Sequence, residues 1–166
     1  EQTAAIMIAF EKELMANPSD LVVVVGDVTS TMACSIVAKK MNIRVAHVEA
    51  GIRSWDVTMP EEINRMVTDS ITDLFFTTSD TANRNLLNQG VGPEKIHFVG
   101  NVMIDTLHQN LNRFLKPDIW DEYQLETQNY IVLTLHRPSN VDEETSLQKL
   151  LLGIDALAND KKVIFP

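Results

Sequence analysis

The sequence predicts an α/β protein built on doubly wound parallel sheets. Two observations carry that expectation. Short β-branched runs such as Leu21-Val22-Val23-Val24-Val25 are apolar throughout, as in strands buried on both faces of a parallel sheet. They alternate with helical stretches, and turn or capping residues mark most junctions, which gives successive βαβ units with helices on both faces of the sheet.

Taken in order, Ile6, Phe10 and Leu14 are spaced as on one helix face, and Asn17-Pro18-Ser19-Asp20 ends that helix. Leu21 to Val25 is the first strand, closed by Gly26-Asp27. Thr29, Ser30 or Thr31 is expected to cap the next helix, which continues through Ile36 to Met41. Val45 to Val48 is a second strand, followed by a loop from Gly51 to Met59. Pro60 opens a helix at its favoured first position, with Glu61 and Glu62 in the first turn. Asp73 to Thr77 is a third strand, and Ser79 caps a helix that Gly90 closes. Ile96 to Val99 is a fourth strand, and Gly100-Asn101 leads into a helix from Val102 to Phe114.

Residues 116–129 show no clear period and read as a connection. Tyr130 to Leu135 is a new apolar strand, and His136-Arg137-Pro138-Ser139-Asn140 a polar loop. Asp142 opens a helix with Leu147, Leu150 and Leu151 on one face, and Val163 to Phe165 starts another strand. The expected organisation is a first domain over 1–115, the connection over 116–129 and the start of a second domain over 130–166. Because the chain starts within a helix and stops on a strand, it is expected to be a segment of a longer protein, truncated at both ends.

Composition narrows the function classes. Of 166 residues, 45% are hydrophobic and 22% charged, which fits a globular protein and excludes disorder, collagen and coiled coil. Lys plus Arg number 14 against 23 Asp plus Glu, a net charge of −9. Nucleic acid is therefore not an expected partner, since such binding needs a basic footprint. A small anion held by a few local donors is still compatible. The single Cys34 excludes an internal disulfide and a Cys-rich zinc site, and no HExxH is present, so no metal and no cofactor are expected. The longest apolar run, Leu21 to Val25, is far below the ~20 residues of a membrane span. No membrane partner and a cytoplasmic location are expected.

In open α/β sheets, ligands bind beyond the carboxyl ends of the strands. Asp27, Glu49 and His136 each follow an apolar strand there, and Glu61 and Glu62 stand at the next helix N-terminus. Asp27 reads equally well as a turn or cap residue. Glu49 lies within an apolar stretch, where a carboxylate costs several kcal/mol unless paired. His47 or Arg53 is a candidate partner for it, and His47 reads as an inward-facing, satisfied histidine. Helix charge alone accounts for Glu61. His136-Arg137 at a strand end suits an anion and proton transfer. Neither GxGxxG nor a P-loop occurs.

Five segments stand in order: Gly26-Asp27-Val28-Thr29-Ser30-Thr31, His47-Val48-Glu49-Ala50-Gly51-Ile52-Arg53, Pro60-Glu61-Glu62-Ile63-Asn64-Arg65, Gly100-Asn101-Val102-Met103-Ile104-Asp105 and His136-Arg137. Together they resemble the non-hydrolysing UDP-N-acetylglucosamine 2-epimerases, from about Leu21 to the end of the chain. The resemblance implies a GT-B-like arrangement of two Rossmann-like domains and a homodimer as the full-length parent. It implies a UDP-sugar substrate that is inverted at C2 by elimination of UDP to a glycal and re-addition. It further implies catalytic roles for Asp27, Glu49, Glu61 and His136, with Arg53 and Arg137 binding substrate. The isolated segment is expected to be inactive. Val25 stands where the family often has His, the loop from Ser54 to Met59 is short, and the segment after His136 lacks the Arg-rich form of many members.

Three other readings remain open at this stage: a hydrolysing epimerase releasing free N-acetylmannosamine, a GT-B glycosyltransferase, and a nucleotide-sugar-binding regulatory module. The acidic and histidine residues at several strand ends count against the last.

Overall fold

The apolar runs become parallel strands in a computed structural model that describes residues 1–135 and 138–166. His136 and Arg137 lie outside the described residues. The chain forms two units, Glu1–Leu111 and Asn112–Pro166.

The first unit holds a four-stranded sheet in the order β1-β2-β3-β4, all parallel. Its strands are β1 (Leu21–Val25), β2 (Arg44–Val48), β3 (Leu74–Thr77) and β4 (Ile96–Phe98). Its main helices are α1 (Gln2–Ala16), α2 (Thr29–Lys40), α3 (Pro60–Ile71), α4 (Asp80–Asn88) and α5 (Val102–Asn110). Val22 pairs with Val45 and Val25 with Val48, so β1 and β2 end side by side.

The core forms where this register places apolar side chains beneath helices. Leu14 of α1, Val22 and Val24 of β1, Val37 and Ala38 of α2 and Val45 of β2 make one cluster. Ala50, Phe75 and Leu86 of α4 make a second. α1 packs on α2 and α2 on α3. The opposite face of β1 is different: Leu21, Val23 and Val25 remain exposed. Helices on both faces of this sheet were expected, but among the described residues β1 is covered on one face only. The strand order explains the difference. Right-handed crossovers that step in one direction put every connecting helix on the same face.

Local chemistry accounts for the helix ends. Ser79 caps α4 as expected, its hydroxyl accepting from the Ala82 N–H. Pro60 opens α3, with Glu61 and Glu62 in its first turn. The cap expected for α2 is corrected: Val28 occupies that position without a side-chain cap bond. Thr31 instead donates its hydroxyl to the Val25 carbonyl, 2.7 Å away, and so ties the helix to the strand.

The second unit comprises α6 (Ile119–Glu122), β5 (Tyr130–Val132), α7 (Pro138–Val141), α8 (Glu144–Ala158) and β6 (Lys162–Ile164). β5 and β6 pair in parallel, Tyr130 opposite Lys162 and Val132 opposite Ile164. Residues 116–129, expected as a connection, carry α6, and Trp120 meets Tyr130 edge-on at 6.0 Å. The strand expected to reach Leu135 stops at Val132, with one further bond from the Leu133 N–H to the Ile164 carbonyl. α8 starts at Glu144, two residues beyond the expected Asp142 start, and the preceding Glu143 carboxylate accepts from Thr145 and Ser146. Among the described residues no helix is long and apolar enough to cross a membrane.

Candidate active site

The parallel register brings Asp27 and Glu49 to the carboxyl ends of neighbouring strands. Gly26 leaves β1 with φ +69°, a left-handed conformation that glycine adopts without a Cβ penalty. Its N–H donates to the Val48 carbonyl at 3.0 Å, which keeps the end of β1 against β2. Asp27 follows, half-buried. Glu49 leaves β2 with φ +71°, a conformation that costs a side-chain-bearing residue of order 1–3 kcal/mol. A Cβ placed on Gly26 would lie 3.7 Å from Glu49 Oε2, so the carboxylate rests against the Gly26 backbone. The Glu49 and Ala50 N–H groups both donate to the Phe76 carbonyl, which fixes the strained turn from below.

Asp27 and Glu61 line one concavity of about 350 Å³ together with Asn64, Thr29 and Ser30. Glu61 is exposed and Glu62, one residue on, is fully buried. Asn64 Nδ2 donates to the Asp27 carbonyl at 2.8 Å, and Arg65 pairs through Nη2 with Asp27 Oδ2. Arg65 Nη1 also donates to Glu62 Oε2 at 3.2 Å. Glu62 in turn accepts from the Ser54 N–H and hydroxyl at 2.8 and 2.9 Å and from the Trp55 N–H at 3.3 Å. Asp27 is therefore an ion-pair partner within the site. The α2 cap it was equally expected to serve is absent.

Neither of the two candidate partners pairs with Glu49 among the described residues. His47 and Arg53 both bind Asp69, a residue that drew no notice in the sequence. His47 is fully buried between Asp69 Oδ1 at 2.7 Å and the Gly26 carbonyl at 2.8 Å. Asp69 Oδ2 accepts from the Gly51 N–H at 3.1 Å and lies 2.7 Å from Arg53 Nη2. Arg53 donates further to the Ile52 carbonyl and to Gln89 Oε1, and its side chain has no exposed surface. Arg53, expected at the substrate, makes these internal bonds in the structure. Its guanidinium is held inside the protein by the buried Asp69 carboxylate. Gly51, φ +77°, is equally constrained: a Cβ there would meet the Ala82 carbonyl oxygen at 2.5 Å. Of the expected site residues, the structure brings Asp27, Glu49 and Glu61 to one end of the sheet. His136 and Arg137 follow β5 outside the described residues. Among the described residues no group of acidic, histidine or cysteine side chains has the geometry of a metal site.

Among the carboxylates held below the ordinary range, Glu62 and Asp73 are the two opposed mainly by burial. Burial opposes ionisation of Glu62, but the Ser54 and Trp55 donors and Arg65 outweigh it and hold the carboxyl below the ordinary range. Burial also opposes ionisation of Asp73, and the Lys39 ammonium at 2.8 Å with the Val45 N–H lowers it likewise. A carboxyl held low in the folded state adds stability above its unfolded value, and that stability is lost as pH falls. The urea midpoint is therefore expected to drop as the solution is acidified below about pH 4. Glu62→Gln should reduce this dependence; an unchanged pH curve would contradict the assignment.

The fold is that of the open parallel α/β proteins, in which ligands bind beyond the carboxyl ends of the strands, where Asp27 and Glu49 stand. The comparisons narrow the class. The family model for UDP-N-acetylglucosamine 2-epimerase matches residues 1–166, and the chain belongs to that family. The UDP-N-acetylglucosamine 2-epimerase of Methanococcus maripaludis is 37% identical over 100% of this chain and 47% of its own length. The crystal structure of the Methanocaldococcus jannaschii UDP-GlcNAc 2-epimerase, in complex with UDP-GlcNAc and UDP, is 41% identical. It superposes with TM-score 0.85 over 99% of this chain and 46% of that one. The Pseudomonas aeruginosa UDP-2,3-diacetamido-2,3-dideoxy-D-glucuronate 2-epimerase is 33% identical over 100% of this chain and 47% of its own. The chain spans about half the length of these relatives. The parallel α/β class and the GT-B-like relationship expected from the sequence agree with these structures.

Proposed function

We propose that this segment supplies the acid–base part of the site of a non-hydrolysing UDP-N-acetylglucosamine 2-epimerase. The full-length enzyme then interconverts UDP-N-acetylglucosamine and UDP-N-acetylmannosamine. The supporting observation is the placement of Asp27 and Glu49 at adjacent strand ends, Glu49 in a strained backbone conformation, within a chain that the family model matches throughout. Strain of this kind persists where the surroundings over-determine it and gathers at functional sites.

The chemistry needs such a set. The C2 hydrogen of the sugar is not next to a carbonyl, so its simple removal is unfavourable. In the proposed route the C2–H and C1–O bonds break, a C1=C2 double bond forms, and UDP leaves with the C1–O electron pair. Re-addition of UDP at C1 with protonation of C2 from the opposite face gives the epimer. One group takes the C2 proton and another returns one; Asp27, Glu49 and Glu61 are the proposed set. His136 with Arg137, after β5, is proposed for the diphosphate side. Each positioned acid–base group typically contributes 10²–10⁴-fold. A single cysteine fits a reducing compartment, and we place the reaction in the cytoplasm.

The test is turnover by the full-length enzyme in deuterium oxide. Deuterium at C2 of UDP-N-acetylmannosamine, with UDP retained on the sugar, is the expected result. Free N-acetylmannosamine plus UDP would assign the hydrolysing reaction instead. Retention of the original C2 hydrogen would overturn the acid–base assignment.

A further inference from the structure

We propose that Arg65 is a positioning residue that aims the Asp27 carboxylate and ties it, through buried Glu62, to the loop at Ser54-Trp55. The inference deepens the proposed epimerase reading and rests on it. Arg65 sits on α3 one turn after Glu61, and its side chain is 16% exposed, so it faces the interior of the site instead of open solvent. Its two terminal nitrogens do different work. Nη2 pairs with Asp27 Oδ2, and Nη1 donates to Glu62 Oε2. A guanidinium presents donors in a fixed fork, so bridging two carboxylates sets their relative orientation; a lysine ammonium has no such fork.

Glu62 is the anchor of this arrangement. It is fully buried and accepts from Ser54 and Trp55, so its place is fixed by the loop that follows Arg53. Asn64, also on α3, holds the Asp27 main chain by donating to its carbonyl. Backbone and carboxylate of Asp27 are thus both held from one helix, and Oδ1, which has no partner among the described residues, is the oxygen we assign to the reacting sugar. An acid–base residue needs this kind of support, because a carboxylate that swings about its own rotamers spends little time in line with the C2 proton.

The test is a double-variant cycle in the full-length enzyme with Arg65→Gln, Asp27→Asn and the pair combined. A residue that acts through Asp27 loses its effect once that carboxylate is gone. Arg65→Gln is expected to lower kcat by about 10-fold or more while KM changes by less than about 3-fold. The pair should be no slower than Asp27→Asn alone, within about 2-fold. Arg65→Lys, which keeps the charge but not the fork, should recover only part of the loss, and it carries the same cycle if Arg65→Gln does not fold. Losses that multiply in the pair, or full kcat in Arg65→Gln, overturn the proposal and leave the epimerase reading standing. Full turnover by Asp27→Asn alone overturns the reading beneath it, and the proposal with it.

Discussion

Asp27→Asn in the full-length enzyme is expected to lower turnover by about 10²-fold or more, and Glu49→Gln by the same order, the scale of losing one positioned acid–base group. Both changes are nearly isosteric, so substrate affinity should change far less than rate. The amide introduced by Asp27→Asn would still meet Arg65 but would carry no charge to move a proton. Glu49→Gln would keep the φ of +71° at that position while losing the carboxylate. Glu61→Gln and His136→Ala are expected to fall in the same range. The glycal should become detectable in small amounts with the slow variants. Glu49 offers a sharper separation of stability from activity. Glu49→Gly removes a strained conformation, so the thermal midpoint should not fall although turnover is lost. Wild-type rates in either carboxylate variant, measured by conversion of UDP-N-acetylglucosamine, would refute the assignment.

Asp69→Ala is expected to have the largest effect on stability, about 3–5 kcal/mol, because it leaves a buried guanidinium without its carboxylate. Asp69 holds His47, Arg53 and the Gly51 N–H at once, and none of its partners' side chains reaches solvent to compensate. Arg53 already has one buried nitrogen, Nε, without a partner among the described residues, so the cluster is short of acceptors even before the carboxylate is removed. Unfolding in urea measures the loss. A change under about 1 kcal/mol would show that water or a neighbouring acceptor replaces the carboxylate. Asp69→Asn should cost less, since its amide oxygen still accepts from one donor.

Much of this fold was legible because its signals are local. The valine run of β1, the proline that opens α3 and the serine that caps α4 each determine structure within a few residues, and all three elements form where expected. The carboxyl-end rule likewise carried Asp27 and Glu49 to one end of the sheet, since it needs only strand direction. What stayed hidden was pairing over distance. Asp69 lies 22 residues from His47 in the chain, and nothing local marks a carboxylate near the end of an amphipathic helix as the centre of a buried cluster. The Asp69 partner of Arg53 was hidden for the same reason. The Asp27–Arg65 pair spans 38 residues, and nothing in the sequence linked the two. Glu61 and Glu62 are adjacent and chemically identical, so only the helix phase separates the exposed one from the buried one.

The uncovered face of β1 matters for handling this segment by itself. β1 lies at the end of the sheet, with Val23 58% and Val25 54% exposed. Its outer backbone groups have no ladder partner among the described strands, and its aliphatic side chains have neither the charge nor the proline that natural edges use to repel a newcomer. In this segment taken alone, which spans about half the length of its relatives, the edge is a template for self-association. At high concentration, or in sulfate-rich buffer that strengthens apolar burial, copies of this segment would add to one another strand upon strand. A lysine in place of Val23 would act as a gatekeeper at the point where that growth begins.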